Sequence, residues 1–415
     1  MSEYQVAATK HLSPIEVTLL FTAFIASAYG FGIYLFASLA AEMRAELGLD
    51  YGTIGLATGI AQAGFLAASL LSGIWAPRLG PVRLILGAVA ATATSLLLMS
   101  RLPIANPTLP LVGLLAVMGA GAAAVWVPMV AIAQNVIPIR HRAKALGLMS
   151  SGTSYGVFLN GLIIPPLVSD HGWRSVWVVV GCLAILLLIT GFWRLRGLAD
   201  TNVTAASTQP QQRPDWRDMK QPLALVMIAT MFLNGLACMP FQTYLVPLLQ
   251  DDLGQPVAFA SRIWSVIGAI GMVSGFLLGM LADRISIKWA MVVTYVFLTG
   301  AAILILALVW LDLPVALPMT IAGICFAMAF YAIFGLVPAY ISATFAGGSA
   351  TLLFGFGNIA LGLGGLIGNI AGGYTKEASG SFVLIYGVIA VAALLQIGLA
   401  LATPNERGFT PQRRS

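Results

Sequence analysis

Apolar stretches of about 20 residues alternate with short polar segments along almost the whole chain of 415 residues. Twelve such stretches can be counted, and each has the length of helix that crosses a hydrocarbon core of about 30 Å. The pattern therefore predicts an all-α membrane protein with twelve transmembrane helices. The fifth stretch is expected at about residues 145–168 and places Gly152, Gly156 and Asn160 on one face, where small side chains allow close helix packing.

A short polar interruption occurs twice, at a constant offset of 206 residues. The second copy reads GMLADRISIK from Gly279, and the first reads GIWAPRL from Gly73, so that Arg78 pairs with Arg284. Repetition over half a chain indicates two structurally related halves. We predict an N-terminal six-helix bundle (1–196), a cytoplasmic linker (197–221) rich in Thr, Ser, Gln and Pro, and a C-terminal six-helix bundle (222–415).

The composition is that of a chain that dissolves in lipid. It is 59% hydrophobic and only 9% charged, with a mean hydropathy of +0.93, whereas soluble domains are about a quarter charged. A soluble globular protein is therefore excluded, and the lipid bilayer is an expected partner.

The positions of the charges matter more than the net charge of +6, which alone would suit an acidic partner such as nucleic acid. If both termini lie inside, sixteen of the 21 lysines and arginines fall on inner segments and five on outer ones. The positive-inside rule then predicts a multi-pass protein of the bacterial inner membrane with both termini cytoplasmic. No nucleic-acid partner is expected.

The sequence contains no group of residues that predicts catalysis. His11, His141 and His171 lie at the terminus and in two loops, and no carboxylate pair faces them. The glycine-rich run 362–365 lies inside a span without a preceding strand, so it does not predict a nucleotide site. We expect no enzyme activity, no cofactor and no metal, and a monomer that handles a small-molecule substrate.

The two polar interruptions resemble the signature Gly-x-Leu-Ala-Asp-Arg-x-Gly-Arg of the major facilitator superfamily of transporters. Pro77 stands where the first-half Asp would be, and Ser286 where the second-half Gly would be. The resemblance implies two pseudo-symmetric six-helix bundles that rock about a substrate site at the midplane. It also implies a gate formed by Asp283, Arg284 and Arg78, held by ion pairs and a helix dipole.

Other segments are similar to bacterial carriers related to the monocarboxylate transporters. They read FGIYLF at 31–36, RHRAKALG at 140–147, SGT at 151–153 and GWR at 172–174. This similarity implies a monocarboxylate-like anion as substrate. A deeper Arg that these carriers have in span 8 is replaced by Gly275, which argues against a carboxylate.

Aromatic and amide side chains within the spans are the candidate substrate contacts. Tyr29 and Tyr34 lie about 140° apart on a helix, so at most one can point squarely into a cavity. Amides are costly to bury in lipid and should face protein or water. Asn234 and Gln242 share a stripe of span 7, and Asn358 begins a stripe of small and amide residues in span 11.

Arg262 is the one cation expected to reach the outer vestibule, because it lies one or two turns inside the outer end of span 8. It either attracts an anion or extends to the membrane interface.

The mode of transport stays open between several alternatives. No acid lies at a predicted midplane, which favours facilitated transport or symport of a substrate with its proton over proton antiport. A proton-coupled exporter of drug-like amphipathic molecules is a second hypothesis, weakened because Leu115 replaces the Arg that proton antiporters carry. A transport-inactive sensor on the same fold is a third.

Overall fold

The computed structural model describes residues 13–199, 216–345 and 347–406, which form fourteen α-helices. Most of the predicted linker, residues 200–215, lies outside this range. Two π-helical segments, Ala26–Phe31 and Leu248–Asp252, extend α1 and α9, and a 3₁₀ turn (Asp218–Lys220) precedes α9. The α-helices are α1 (Pro14–Ile25), α2 (Tyr34–Leu47), α3 (Tyr51–Leu79), α4 (Pro81–Met99), α5 (Thr108–Val136), α6 (Ile139–Ser150), α7 (Gly152–His171), α8 (Trp173–Ala199), α9 (Pro222–Pro247), α10 (Val257–Arg284), α11 (Ile287–Trp310), α12 (Ala316–Thr344), α13 (Gly347–Ser379) and α14 (Val383–Ala402).

Eleven helical segments of the described residues are long and apolar enough to cross a membrane. The first of them joins α1, the first π segment and α2 into a single crossing, Pro14–Leu47. The twelfth predicted crossing corresponds to α7, whose hydropathy is lowered by Asn160 and by two internal prolines. Asn160 is buried, because α7 packs against α10 and the first π segment. The predicted all-helical membrane architecture is confirmed.

The fifth crossing begins later than the hydropathy pattern predicts. The segment before it forms a separate short helix, α6, and the crossing starts at Gly152 instead of near residue 145. Ser150 and Ser151 donate their hydroxyl groups to the carbonyl oxygens of Leu146 and Leu148. Such local side-chain bonds compete with regular helical hydrogen bonds, and the chain is interrupted there.

Helices of the two halves meet along two matching seams. α3 packs against α13 and α7 against α10, while α2 contacts α9. Gly55 and Gly59 of α3 face α13, and Ser261 and Ser265 of α10, each 206 residues further along, face α7. The offset found in the polar interruptions thus extends into the helices that join the halves.

Close helix crossings depend on glycine pairs. A Cβ atom on Gly156 of α7 would lie 2.6 Å from the Cα atom of Gly30, in the first π segment. One turn further on, the Asn160 side chain donates a hydrogen bond of 2.8 Å to the carbonyl oxygen of Gly30. This contact fixes the segment that leads to Tyr34.

Candidate substrate-binding site and gate

A small cavity lies between the two halves. It holds about 20 Å³ of free volume, room for roughly one water molecule. The first half contributes α2, α3 and α5, and the second contributes α9 and α13. The lining residues are Ile33, Tyr34, Ala37, Thr58, Ala61, Gln62, Leu115, Met239, Gln242, Thr243 and Asn369.

Neutral polar groups and apolar side chains line this cavity together. Hydroxyl and amide groups come from both halves, and none of the lining residues carries a formal charge. The Gln62 amide donates across the halves to the sulfur of Met239 at 3.4 Å, a weak hydrogen bond. The cavity can therefore donate and accept hydrogen bonds, but it offers no fixed charge.

A break in the first crossing brings Tyr34 to the cavity. The π segment ends at Phe31, and the amide groups of Gly32 and Ile33 bond to the carbonyl oxygens of Ser27 and Tyr29 at 2.9 and 3.0 Å. Helix α2 then begins at Tyr34. Wide π turns rotate the residues that follow them, and they occur often at functional sites.

The structure separates the six predicted contact residues. Tyr34 and Gln242 line the cavity. Tyr29 is half-buried, with its ring 6.0 Å from that of Phe65, outside the lining. Asn234 is buried within the second half, where its side-chain oxygen accepts a hydrogen bond from Gln396 of α14.

Asn358 and Arg262 also lie outside the cavity. Asn358 is half-buried on α13, one turn from Gly362, which faces Leu66 of α3, and its amide bonds to the carbonyl oxygen of Phe354. Arg262 is exposed, whereas its neighbour Ser261 packs against α7. Its side chain therefore points away from the seam between the halves.

Hydrophobicity alone did not reveal several lining residues. Thr58, Gln62 and Thr243 lie in spans of mixed small and apolar residues, where no periodic contrast marks the inner face. Asn369 belongs to the stripe noted in span 11, and its position in that stripe was the available signal.

The two ends of the bundle differ. The end at which α1 starts and α14 finishes is called the terminus side here, and the opposite end the far side. On the far side the halves are joined by the Arg44 to Asp251 ion pair (3.2 Å) and by the Tyr51 hydroxyl, which donates to Asp251 at 2.8 Å. Gln250 donates to Glu42 at 2.7 Å, and the backbone amide of Tyr51 donates to Glu377 at 3.1 Å.

These six residues, Glu42, Arg44, Tyr51, Gln250, Asp251 and Glu377, form the far-side clasp. Every bond in it joins one half to the other. A neighbouring ion pair, Lys376 with Asp252 at 2.5 Å, lies wholly within the second half. The clasp was not predicted from the sequence, because its acids and their partners lie about 200 residues or more apart along the chain.

The halves separate on the terminus side. A Cβ atom on Gly362 would lie 3.6 Å from Leu66, whereas one on Gly355, two turns nearer the terminus side on the same face, would meet nothing within 4 Å. On α3, Gln62 is buried and Leu70 is exposed. The halves are thus joined on the far side of the cavity and diverge on its terminus side.

The predicted gating residues lie at this open end. Asp283 and Arg284 are exposed at the end of α10, and Arg78 is exposed at the end of α3. The adjacent helix α11 begins at a cap built from Ser286, which accepts from the amide of Trp289, and from Glu406, which accepts from the amide of Ile287 at 2.6 Å. The sequence pattern did not predict that Glu406 caps helix α11.

A cavity between two helical halves that are joined at one end and separate at the other is typical of a membrane transport protein. The sequence comparison agrees, because the family model of the Major Facilitator Superfamily matches residues 20–369. The chain belongs to the major facilitator superfamily.

Similar proteins are transporters. The gallate transporter of Pseudomonas putida is 23% identical over 91% of this chain and 89% of its own length. The probable sulfoacetate transporter SauU of Cupriavidus necator is 25% identical over 88% of each chain.

Solved structures show the same fold. A D-xylose-proton symporter superposes with a TM-score of 0.76 at 15% identity, covering 95% of this chain and 99% of its own. The nucleoside transporter NupG gives a TM-score of 0.75 at 12% identity, covering 93% and 99%. The predicted fold of twelve helices in two six-helix bundles is confirmed.

Proposed function

We propose that the protein carries a small organic anion of the monocarboxylate type across a bacterial inner membrane by alternating access, as a monomer. The observation that carries this proposal is the cavity with hydroxyl and amide groups from both halves, at the level where the halves, joined on the far side, begin to separate. Relatives that match most of the chain are named for gallate and sulfoacetate, and both of these are organic anions.

The orientation follows from the distribution of positive charge. With both termini in the cytoplasm, the terminus side faces inwards and the far-side clasp is the outer gate. The structure then represents an inward-open state. In the outward-open state the clasp separates, and Asp283, Arg284 and Arg78 approach the opposite half and close the inner side.

Symport of the anion with a proton fits the uncharged lining. An ionised carboxylate that leaves water without a cationic partner carries a large desolvation cost. A proton that travels with a monocarboxylate neutralises its carboxylate group and removes most of that cost. Uptake should therefore increase as the outside pH is lowered, because the protonated fraction of the acid rises.

Counterflow in proteoliposomes tests the proposal. Vesicles loaded with unlabelled gallate or sulfoacetate should accumulate the labelled anion transiently, while xylose should show no counterflow. Dissipation of an imposed proton gradient with a protonophore should abolish net accumulation and leave exchange intact. The exposed Arg262 serves as a control, since Arg262→Gln should keep the counterflow rate within twofold of the wild-type rate. Absence of counterflow for every organic anion tested would refute the proposal.

A further inference from the structure

In two buried amide groups of the cavity, one atom each lacks a hydrogen-bond partner. The Nε2 atom of Gln242 and the Oδ1 atom of Asn369 are inaccessible to solvent and unpaired, in side chains that are 4% and 1% exposed. An unpaired polar atom at such depth is costly, and a water molecule or a ligand in the cavity can supply the partner of each of these two atoms. Both residues line the same cavity, on α9 and α13.

The pair suits a carboxyl group. An amide presents a donor on one atom and an acceptor on the other. One N–H group and one carbonyl oxygen can bind the oxygen and the hydroxyl group of a protonated acid. After rotation of the Asn369 amide, two N–H groups can bind an ionised carboxylate.

Aromatic rings cover the approach to this pair from the terminus side. The ring of Tyr34 meets that of Phe330, on α12 of the other half, edge-to-face at a centroid distance of 6.2 Å. Phe330 is 2% exposed, whereas Phe334, one turn nearer the terminus side, is 45% exposed. The Phe330 and Phe334 rings are also in edge contact, at 5.1 Å. Ring contacts thus run from the exposed Phe334 through Phe330 to Tyr34, which lines the cavity.

The cavity is too small to admit a substrate unless this ring contact opens. Its free volume is about 20 Å³, whereas pockets for small organic ligands measure roughly 300 Å³ or more. Tyr34 is the movable partner, because it follows the break between the π segment and α2. A planar ring that takes its place against Phe330 replaces one aromatic contact with another.

We propose that the transported anion is an aromatic carboxylic acid, whose ring displaces Tyr34 from Phe330 while its carboxyl group binds Gln242 and Asn369. This inference rests on the proposed function and specifies its substrate class. An aliphatic acid of equal size would gain the amide contacts and lose the ring contacts.

Competition against gallate counterflow tests the substrate class. Benzoate should compete roughly three- to tenfold better than cyclohexanecarboxylate, which has a similar size and no aromatic ring. Phe330→Leu should bring the ratio of the two inhibition constants close to one, and Phe330→Tyr should restore the preference. Gln242→Leu should weaken both competitors to a similar degree.

A binding measurement separates folding from recognition. Benzoate should raise the midpoint of thermal unfolding of detergent-solubilised wild-type protein, and this increase should be lost in Phe330→Leu while the unliganded midpoint stays within a few degrees. Equal inhibition by the two acids in wild-type protein, with gallate counterflow intact, would overturn the aromatic assignment and leave the proposed function standing. Loss of all anion counterflow would overturn both.

Discussion

Two adjacent acids at the far side have different roles. Asp251 binds Arg44 and Tyr51 of the first half, whereas Asp252 binds Lys376 of its own half. Both are carboxylates at the same membrane depth. The bonds of Asp251 join the two halves, whereas the bond of Asp252 lies within one half. Only the bonds of Asp251 must break when the far side opens, so only they contribute to the balance between the two states.

Removal of the Asp251 charge should therefore favour opening of the far side. Asp251→Asn weakens one ion pair and one charge-assisted hydrogen bond, together about 1–2 kcal/mol in this partly exposed position. The open population should rise roughly five- to thirtyfold. The test uses Thr58→Cys in a protein whose Cys182, Cys238 and Cys325 are replaced by serine. The measurement is the rate at which a membrane-impermeant maleimide, applied from the far side, labels this cysteine.

Asp252→Asn is the matched control for this prediction. It removes the same charge one residue away but breaks a bond within a single half, so the labelling rate should stay within twofold of wild type. An equal rate increase in both variants would show that the clasp does not hold the halves together.

At the residue scale, the sequence predicted which polar residues are unusual within a span but not what each of them contacts. Tyr34 and Asn234 were both unusual polar residues within a span, yet one lines the cavity and the other bonds to α14. Helical periodicity does not separate these cases when every face of a span is apolar. The clasp was out of reach for another reason, because its bonds join residues separated by about 200 positions or more.

At the scale of elements, helix crossings depend on single glycines. The stripe of Gly152, Gly156 and Asn160 predicted a close-packing face, and α7 uses it against α1 and the first π segment. The sequence did not predict the π segments or the separate helix α6. Each is a local deviation of the backbone that arises from tertiary contacts or from side-chain hydrogen bonds, and hydropathy does not report either.

Gly156→Leu should destabilise the protein markedly. Any side chain at this position would meet the backbone of Gly30 and Ala26, and overpacking of this kind costs roughly 1–3 kcal/mol. The midpoint of thermal unfolding in detergent should fall by roughly 1–4 °C in a chain of this size. Gly398→Leu is the control, because Gly398 of α14 is exposed and a Cβ atom there would meet nothing within 4 Å. A fall of the same size in the control would mean that membrane helices of this protein do not tolerate leucine in general.

At the scale of the whole molecule, the sequence predicted two related halves but could not predict which side is open. The repeat determines that the seam of α3 with α13 and the seam of α7 with α10 are equivalent. The two states of a transporter share this topology and differ by a few contacts at each end, so their balance is set by small energies that no pattern of residues displays. The structure shows on which side the halves separate, because the contacts between them tighten towards the far side and end on the terminus side.

A bulky residue on the open part of this seam should block the transport cycle. Gly355 faces α3 across open space on the terminus side, whereas Gly55 on the far side lies against the backbone of Asn369. When the terminus side closes, α13 and α3 must approach each other there as they do at Gly55, and a phenyl ring would separate them. Gly355→Phe should therefore keep a folded, terminus-open protein, with labelling of a cysteine at position 58 preserved from that side. Counterflow should fall at least tenfold, while Gly398→Phe should leave it unchanged. Wild-type counterflow in Gly355→Phe would show that the halves do not close along this seam, and that the far-side opening is produced by some other movement.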